Sequence, residues 1–304
     1  MNVLTYGVGF MYVIVGANGF LGSYLIKSIL ENTDEDIIAT ARKIESVQKH
    51  ARVDWTYCDV DDPNSVQALA EKVNAEKRCK MIYLAAYHHP DAVAQNPKTA
   101  WNINIVALAR FINTIDNIEC FFYPSSDSVY GESKNGYHFK ESDPLHPVNK
   151  YGMNKATAEN LVTSYGYNVV RYPFLIAPSL LLHKKHFYDT IVQNLFQGRT
   201  IEMFSDSRRS SLDFGTSADL LIKLIRNYSE RVPKILNLSG DDDLSKYDIG
   251  LMIAKKIGVS PDLVVPISIH KTKGIFETKR AETTLLDNTL VKTTLGLKEI
   301  KIRI

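Results

Sequence analysis

The chain has 304 residues, 45% hydrophobic and 23% charged, which is ordinary usage for a globular chain and long enough to bury a large core. Its net charge of +2 is spread along the sequence, so the basic stripe that would recruit nucleic acid is missing and small ligands are the expected partners. The three cysteines, Cys58, Cys79 and Cys120, stand far apart with no CxxC spacing, which argues against a disulfide framework or a metal site and for buried free thiols in a reducing cytoplasm.

In chain order, residues 1–22 lack a basic start and are broken by Gly7, Gly9, Gly16, Gly19 and Gly22, so no secretory signal is expected. Met11 stands directly before the first good strand, and residues 1–10 read as an extension outside the fold. Short apolar runs then alternate with longer amphipathic ones, the pattern of parallel strands joined by crossover helices. Strands are predicted at 12–15, 36–41, 54–58, 81–85, 120–123 and 168–172, and helices at 20–30, 65–74, 99–115 and 151–165. The most apolar internal run, 174–182, contains Pro178 and is too short to span a bilayer, so no membrane association is expected. Beyond Pro178 the rhythm loosens until PKILNLSG (233–240), which reads as a strand near 234–238 returning to the main sheet, followed by a helix at 246–257. The expected class is α/β: a Rossmann-type doubly wound parallel sheet over 11–178, with 179–304 mainly a smaller C-terminal α/β substrate lobe.

YVIVGANGFLGSYLI sets Gly16, Gly19 and Gly22 between a strand and a helix. Glycines there allow a tight turn and close backbone approach, so that a pyrophosphate can rest at the positive N-terminus of the helix. The turn, with Asn18, Phe20 and Leu21, is a candidate dinucleotide cradle, although the glycines could simply close the turn; the absence of GxxxxGK argues against a nucleoside-triphosphate loop. About twenty residues further on, a binder of NAD is expected to show an acid and a binder of NADP an arginine. The strand ends ATARK, so Arg42, with Lys43 beside it, favours NADP(H) over NAD(H), and the first acid, Glu45, falls beyond the strand end.

YxxxK occurs twice, at Tyr130/Lys134 and at Tyr151/Lys155. The first copy runs through Gly131 into GESKNGYH, where i, i+4 spacing does not put side chains on one face, and reads as accidental. In the second, Tyr151, Lys155, Ala158, Val162 and Tyr165 step by four and three along one apolar helix face. A buried ammonium beside a phenol would lower the Tyr151 pKa towards working pH, as proton transfer requires.

GANGFLG, YLAA at 83–86, SSDSVYG at 125–131 and YGMNK at 151–155 make nearly the whole chain resemble the extended short-chain dehydrogenases/reductases, which act mainly on nucleotide sugars. The resemblance implies that Ser126 completes an active site with Tyr151 and Lys155, and that Lys155 also holds the nicotinamide ribose. It further implies that Asp59 and the neighbouring Val60 lie near the adenine, and that Ala85, Ala86 and Pro173 pass beside the cofactor. Dehydratases of this family carry Asp-Glu after the catalytic threonine; here Asp127 is present and Ser128 replaces the glutamate, which disfavours dehydration and leaves reduction or epimerisation. KRAETTLLDNTLVKTTLGLK (279–298) resembles the C-terminal RPxxTxLD-like run and final helix of dTDP-4-dehydrorhamnose reductases, with Ala281 in place of the usual proline. Pro124, just before the serine pair, is a second departure. Reduction with NADPH is therefore the expected activity, with epimerisation as the alternative. A non-catalytic NADP-sensing subunit is a third reading, against which stands the complete Ser126, Tyr151 and Lys155 set. Homodimerisation through two central helices is common in similar proteins.

Three weaker candidates remain. HHPDAVAQNPKTAW (88–101) reads as a polar loop at the carboxyl edge of the sheet, from which His88, His89 and Asp91 could reach substrate. HKKHF (183–187) lacks the helical or acidic context of a metal site and reads as a solvated loop. Arg208 and Arg209 could together hold a nucleotide diphosphate, Arg209 and Asp127 being the substrate-binding candidates beside His88, or could form an exposed cationic turn.

Overall fold

The computed structural model describes residues 10–44, 47, 49–75, 78–271 and 276–304; the rest of the expected extension and Glu45 lie outside them. The first half runs β1 (Met11–Val15), α1 (Phe20–Asn32), β2 (Ile37–Ala41), β3 (Val53–Tyr57), α2 (Pro63–Asn74), β4 (Cys79–Tyr83), α3 (Pro90–Gln95), α4 (Pro97–Trp101), α5 (Ala107–Thr114), β5 (Ile118–Ser126), β6 (His138–Phe139), α6 (Lys150–Ser164) and β7 (Asn168–Tyr172). The second half runs β8 (Leu175–Ile176), α7 (Phe187–Phe196), β9 (Ile201–Phe204), β10 (Arg208–Arg209), β11 (Leu212–Asp213), α8 (Phe214–Arg226), β12 (Ile235–Asn237), β13 (Leu244–Ser245), α9 (Lys246–Ile257), β14 (Val264–Ile267), β15 (Leu285–Leu286) and α10 (Thr289–Leu295).

Seven strands form one parallel sheet in the order β12-β7-β5-β4-β1-β2-β3. The order reverses between β1 and β4, the switch point at which doubly wound sheets leave a crevice at their carboxyl ends. All five residues of β1 are buried because both faces are covered. Tyr12 and Ile14 join a core with α1, α8 and α10, while Met11, Val13 and Val15 join another with α2, α5 and α6. The three cysteines are free and buried, as expected. No described helix is long and apolar enough to cross a membrane.

The structure differs from the sequence expectation in several places. β4 ends at Tyr83, which puts Ala85 and Ala86 in the loop beyond it, and β5 extends to Ser126. The 88–101 segment is helical, because Pro90 and Pro97 each start a short helix whose first turn needs no proline N–H. The expected 99–115 helix is interrupted by a π-helical turn at Asn102–Val106. A single boundary at 178 does not divide the packing. β12 is the expected strand near 234–238 that returns to the main sheet, and α8 and α10 pack on that sheet with it, whereas Ile176, Tyr188, Met203, Ile253 and Val264 form a separate lobe core around α7, β9, α9 and β14. The helix predicted at 246–257 is α9 to the residue, fixed by the Ser245/Asp248 capping box and by Gly258, whose φ of +73° ends it.

Candidate active site

The glycine turn is built around one close approach. Gly16 has a φ of +79°, and a Cβ on it would lie 2.9 Å from the Ala85 nitrogen, so the first turn and the loop after β4 share one space only a glycine can leave open. Gly22 faces the Ala17 carbonyl, which lets α1 lie against the turn. Gly19 is the N-cap of α1 and has no side chain to satisfy the first-turn N–H groups. The cradle therefore has open space and unclaimed donors for an anionic diphosphate, which fits a dinucleotide. Arg42 and Lys43 are exposed just past the end of β2, while Val60 and Pro173 are buried beyond β3 and β7.

The loop carrying Ala85 and Ala86 is clamped by a residue the periodicity concealed. The Asn104 side chain accepts from the Tyr87 N–H at 2.8 Å and donates to the Tyr87 carbonyl at 3.1 Å. Asn104 sits in the π turn, the kind of helical irregularity that recurs at functional sites.

Ser126, Tyr151 and Lys155 line one cleft of about 540 Å³, together with Leu21, His88 and Pro173. Ser126 ends β5 and caps a short 3₁₀ turn (Asp127–Val129), its oxygen accepting from the Ser128 N–H. Asn149 caps α6 by accepting from Gly152 N–H at 2.9 Å, placing Tyr151 in the first turn. Gly152 is required there because a Cβ would enter the Ser128 carbonyl and lie 2.8 Å from Pro147. The stripe expected on α6 is buried at Lys155, Ala158 and Val162 and runs out at Tyr165, which is exposed at the helix end.

The proton-transfer geometry corrects one expectation. The Lys155 ammonium donates to the Pro124 carbonyl at 2.8 Å and the Tyr123 hydroxyl at 3.1 Å, and stands over the Tyr123 ring. It does not lower the Tyr151 pKa, which burial, with the Asp127 carboxylate nearby, pushes up to about 12 against a pull from Ser126. Burial also brings Lys155 itself down to about 8, opposed by Glu159. Glu159 lies one turn further along α6, with Arg171 bidentate on its carboxylate and the Ser125 hydroxyl donating to it. The other YxxxK copy is indeed split: Tyr130 is buried with its hydroxyl on Lys140 O and Asn237, and Lys134 is exposed.

Arg208 and Arg209 do not act as a pair, because neighbours on a strand point to opposite sides. Arg208 is exposed and donates to Asp243 O. Arg209 borders the cleft but donates to the carbonyls of Ala281 and Glu282 and pairs with Asp127 at 3.2 Å. Asp127 is buried, and burial raises its pKa against the pull of Arg209. Asp91 is likewise engaged, by Arg280 at 2.8 Å and the Thr278 N–H; His88 remains at the cleft and His89 begins α3. Asp59 fixes its own loop, its N–H donating to Ser65 and its carboxylate accepting from the Asp61 N–H. In HKKHF, His186 caps α7.

The profile of the family described as RmlD substrate binding domain matches residues 11–303. The chain is 29% identical over 187 residues to a dTDP-D-glucose 4,6-dehydratase of Mus musculus, a match covering 58% of the chain and 51% of that protein. It thus spans about half the length of the dehydratase. A probable low-salt glycan biosynthesis reductase of Haloferax volcanii is 24% identical over 259 residues, 84% of this chain and 83% of that one. Among solved structures, dTDP-4-dehydrorhamnose reductase from Bacillus anthracis in complex with NADP superposes with a TM-score of 0.78 at 18% identity, covering 97% of this chain and 95% of the other.

Proposed function

The chain belongs to the RmlD substrate binding domain family, and from that premise we propose that it is an NADPH-dependent reductase of a 4-keto-6-deoxy nucleotide sugar. The observation that carries the reading is the placement of the Tyr151 phenol, the Ser126 hydroxyl and the Lys155 ammonium in one cleft beside the glycine cradle, at the carboxyl ends of β1, β4, β5 and β7. Burial keeps Tyr151 protonated, which is the form a proton donor needs. When bound, NADPH supplies a hydride to the ketone carbon. Ser126 donates a hydrogen bond to the ketone oxygen and Tyr151 passes its proton there, so that the ketone becomes an alcohol and Tyr151 is reprotonated from solvent. Lys155, held by Tyr123 and Pro124 O, orients the nicotinamide ribose. Proton donation of this kind contributes roughly 10²- to 10⁴-fold, and positioning supplies much of the remainder.

Arg42 and Lys43, exposed past β2, suit the additional phosphate of NADP, and the Bacillus anthracis reductase was solved with that cofactor. Dehydration is disfavoured because Ser128 supplies no second carboxylate and Asp127 is paired with Arg209. Trp101, Val106 and Met153, exposed on α4, the π turn and α6, offer apolar surface for a homodimer as part of the same reading.

The test mixes the protein with NADPH and dTDP-4-keto-6-deoxyglucose, with and without a keto-sugar 3,5-epimerase, and follows loss of reduced nicotinamide. Consumption in either mixture supports the reading. NADPH binding without consumption in both overturns it for this sugar and favours an epimerase or the sensor.

A further inference from the structure

Each turnover of a reductase leaves Tyr151 short of a proton, and the phenol has to regain it before the next one. Lys155 is not arranged to supply it, because its ammonium donates to the Tyr123 hydroxyl and the Pro124 carbonyl. A different set of oxygens lies beside Tyr151, in the 3₁₀ turn that follows β5. Ser126 hydrogen-bonds the Tyr151 phenol. The Ser126 oxygen lies 3.0 Å from Asp127 Oδ1 and 3.1 Å from the Ser128 hydroxyl, which is itself 3.5 Å from Asp127 Oδ1. All four residues line the same cleft. Asp127 is 6% exposed while Ser126 and Ser128 are half-buried, so the hydroxyls are the groups that meet water.

The two carboxylate oxygens of Asp127 have different surroundings. Arg209 Nε stands at ion-pair distance from Oδ2, 3.2 Å, without the alignment of a hydrogen bond, whereas Oδ1 faces the two serine hydroxyls. A cation beside Oδ2 leaves Oδ1 as the oxygen that takes a proton. A hydroxyl carries one hydrogen and two lone pairs and turns to suit its neighbours, so Ser126 can donate to this oxygen or accept from it. Burial raises the Asp127 pKa, against the pull of Arg209, the two hydroxyls and the Ser128 N–H, which makes the carboxylate easier to protonate than it is in water. The direction of transfer follows. A phenol pushed up to about 12 takes a proton from a carboxyl group, and Arg209 steadies the carboxylate that remains.

Resting on the reductase reading above, we propose that Asp127 and Ser128 form the relay that returns a proton to Tyr151 through Ser126. Once the ketone has become an alcohol, the Ser126 O–H bond breaks as its proton passes to the Tyr151 phenolate, and a new O–H bond forms on Ser126 with the proton of Asp127 Oδ1. Asp127 draws its replacement from water through the Ser128 hydroxyl. One proton is taken from solvent for each ketone reduced, and nothing in the relay is oxidised or reduced. Ser128, which removes the second carboxylate a dehydratase needs, is thus the residue that connects the relay to water.

The relay is tested by separating the first turnover from those that follow. Wild type, Asp127→Asn and Ser128→Ala are mixed rapidly with NADPH and dTDP-4-keto-6-deoxyglucose, with and without the 3,5-epimerase, and loss of reduced nicotinamide is followed with and without added imidazole. NADPH binding and thermal melting are measured alongside. The first turnover uses the proton already on Tyr151, so Asp127→Asn should complete it at close to the wild-type rate. Its later turnovers should be roughly 10²-fold slower, the lower end of what a positioned proton-transfer group contributes. Imidazole, a small proton donor, should restore the later turnovers and leave the first unchanged. Ser128→Ala, which breaks no ion pair, should show the same split with a smaller loss. A first turnover slowed as much as the later ones, later turnovers at the wild-type rate, or slow turnover that imidazole does not restore overturns the proposal. If Asp127→Asn melts early because Arg209 has lost its anion, the same outcomes are read on Ser128→Ala. Wild type that binds NADPH without consuming it overturns the reductase reading for this sugar; that result is read on wild type alone and is therefore distinct.

Discussion

Lys155 bonds to Tyr123, not to Tyr151: its ammonium lies 3.1 Å from the Tyr123 hydroxyl and is held at its other side by the Pro124 carbonyl. The two residues fix the cation at the end of β5, where it can face a ribose without first having to find its place. Pro124, a departure from the resembled pattern at the level of sequence, contributes through its carbonyl, which every residue type possesses.

The depressed pKa of Lys155 makes stability depend on pH in a defined window. The folded value is about 8 and the unfolded value 10.5, so the buried charge costs stability in full below pH 8 and the cost disappears as pH rises to 10.5. Wild type should therefore gain stability relative to Lys155→Met between those two values. Urea denaturation of both proteins at several pH values checks this, and parallel curves would mean that Lys155 has an ordinary pKa.

Asn104→Ala removes both hydrogen bonds to the Tyr87 backbone. The expected cost is about 1–3 kcal/mol, since a donor and an acceptor lose their partner together. The loop with Ala85 and Ala86 is also released, so the KM for NADPH should rise more than kcat falls. Steady-state kinetics combined with denaturation measures both parts.

Glu159→Gln leaves Arg171, whose side chain is 2% exposed, without its anion. A loss of about 3–5 kcal/mol is expected, as for other broken buried pairs. Replacing both partners with apolar residues should recover much of this in a thermal melt. Because Ser125 donates to the same carboxylate, the recovered protein should still turn over slowly, with the end of β5 less well fixed.

The parts legible in the sequence are those written in local chemistry. Gly16 could be read because a positive φ at a strand-to-helix turn demands glycine, and α9 because its cap and its closing glycine are both encoded. The central sheet followed from the alternation of apolar and amphipathic runs. Contacts that join distant segments were not legible. Arg209 resembled a diphosphate ligand until its donors were found on Ala281 and Glu282, more than seventy residues away in sequence. Asn104 was hidden because a π turn retains helical spacing on either side. The pair Glu159 and Arg171 left no local mark, since neither residue type is expected in a core without its partner.

Net hydride delivery to the sugar is the step that distinguishes the proposed reductase from an epimerase. With NADPH deuterated at the transferring position and a 4-keto-6-deoxy nucleotide sugar, mass spectrometry of the product should find one deuterium at C4 in wild type. Tyr151→Phe should bind the cofactor normally and form that product roughly 10²- to 10⁴-fold more slowly. An altered sugar without deuterium and without cofactor consumption, or full turnover by Tyr151→Phe, would contradict a reductase in which Tyr151 is the proton donor.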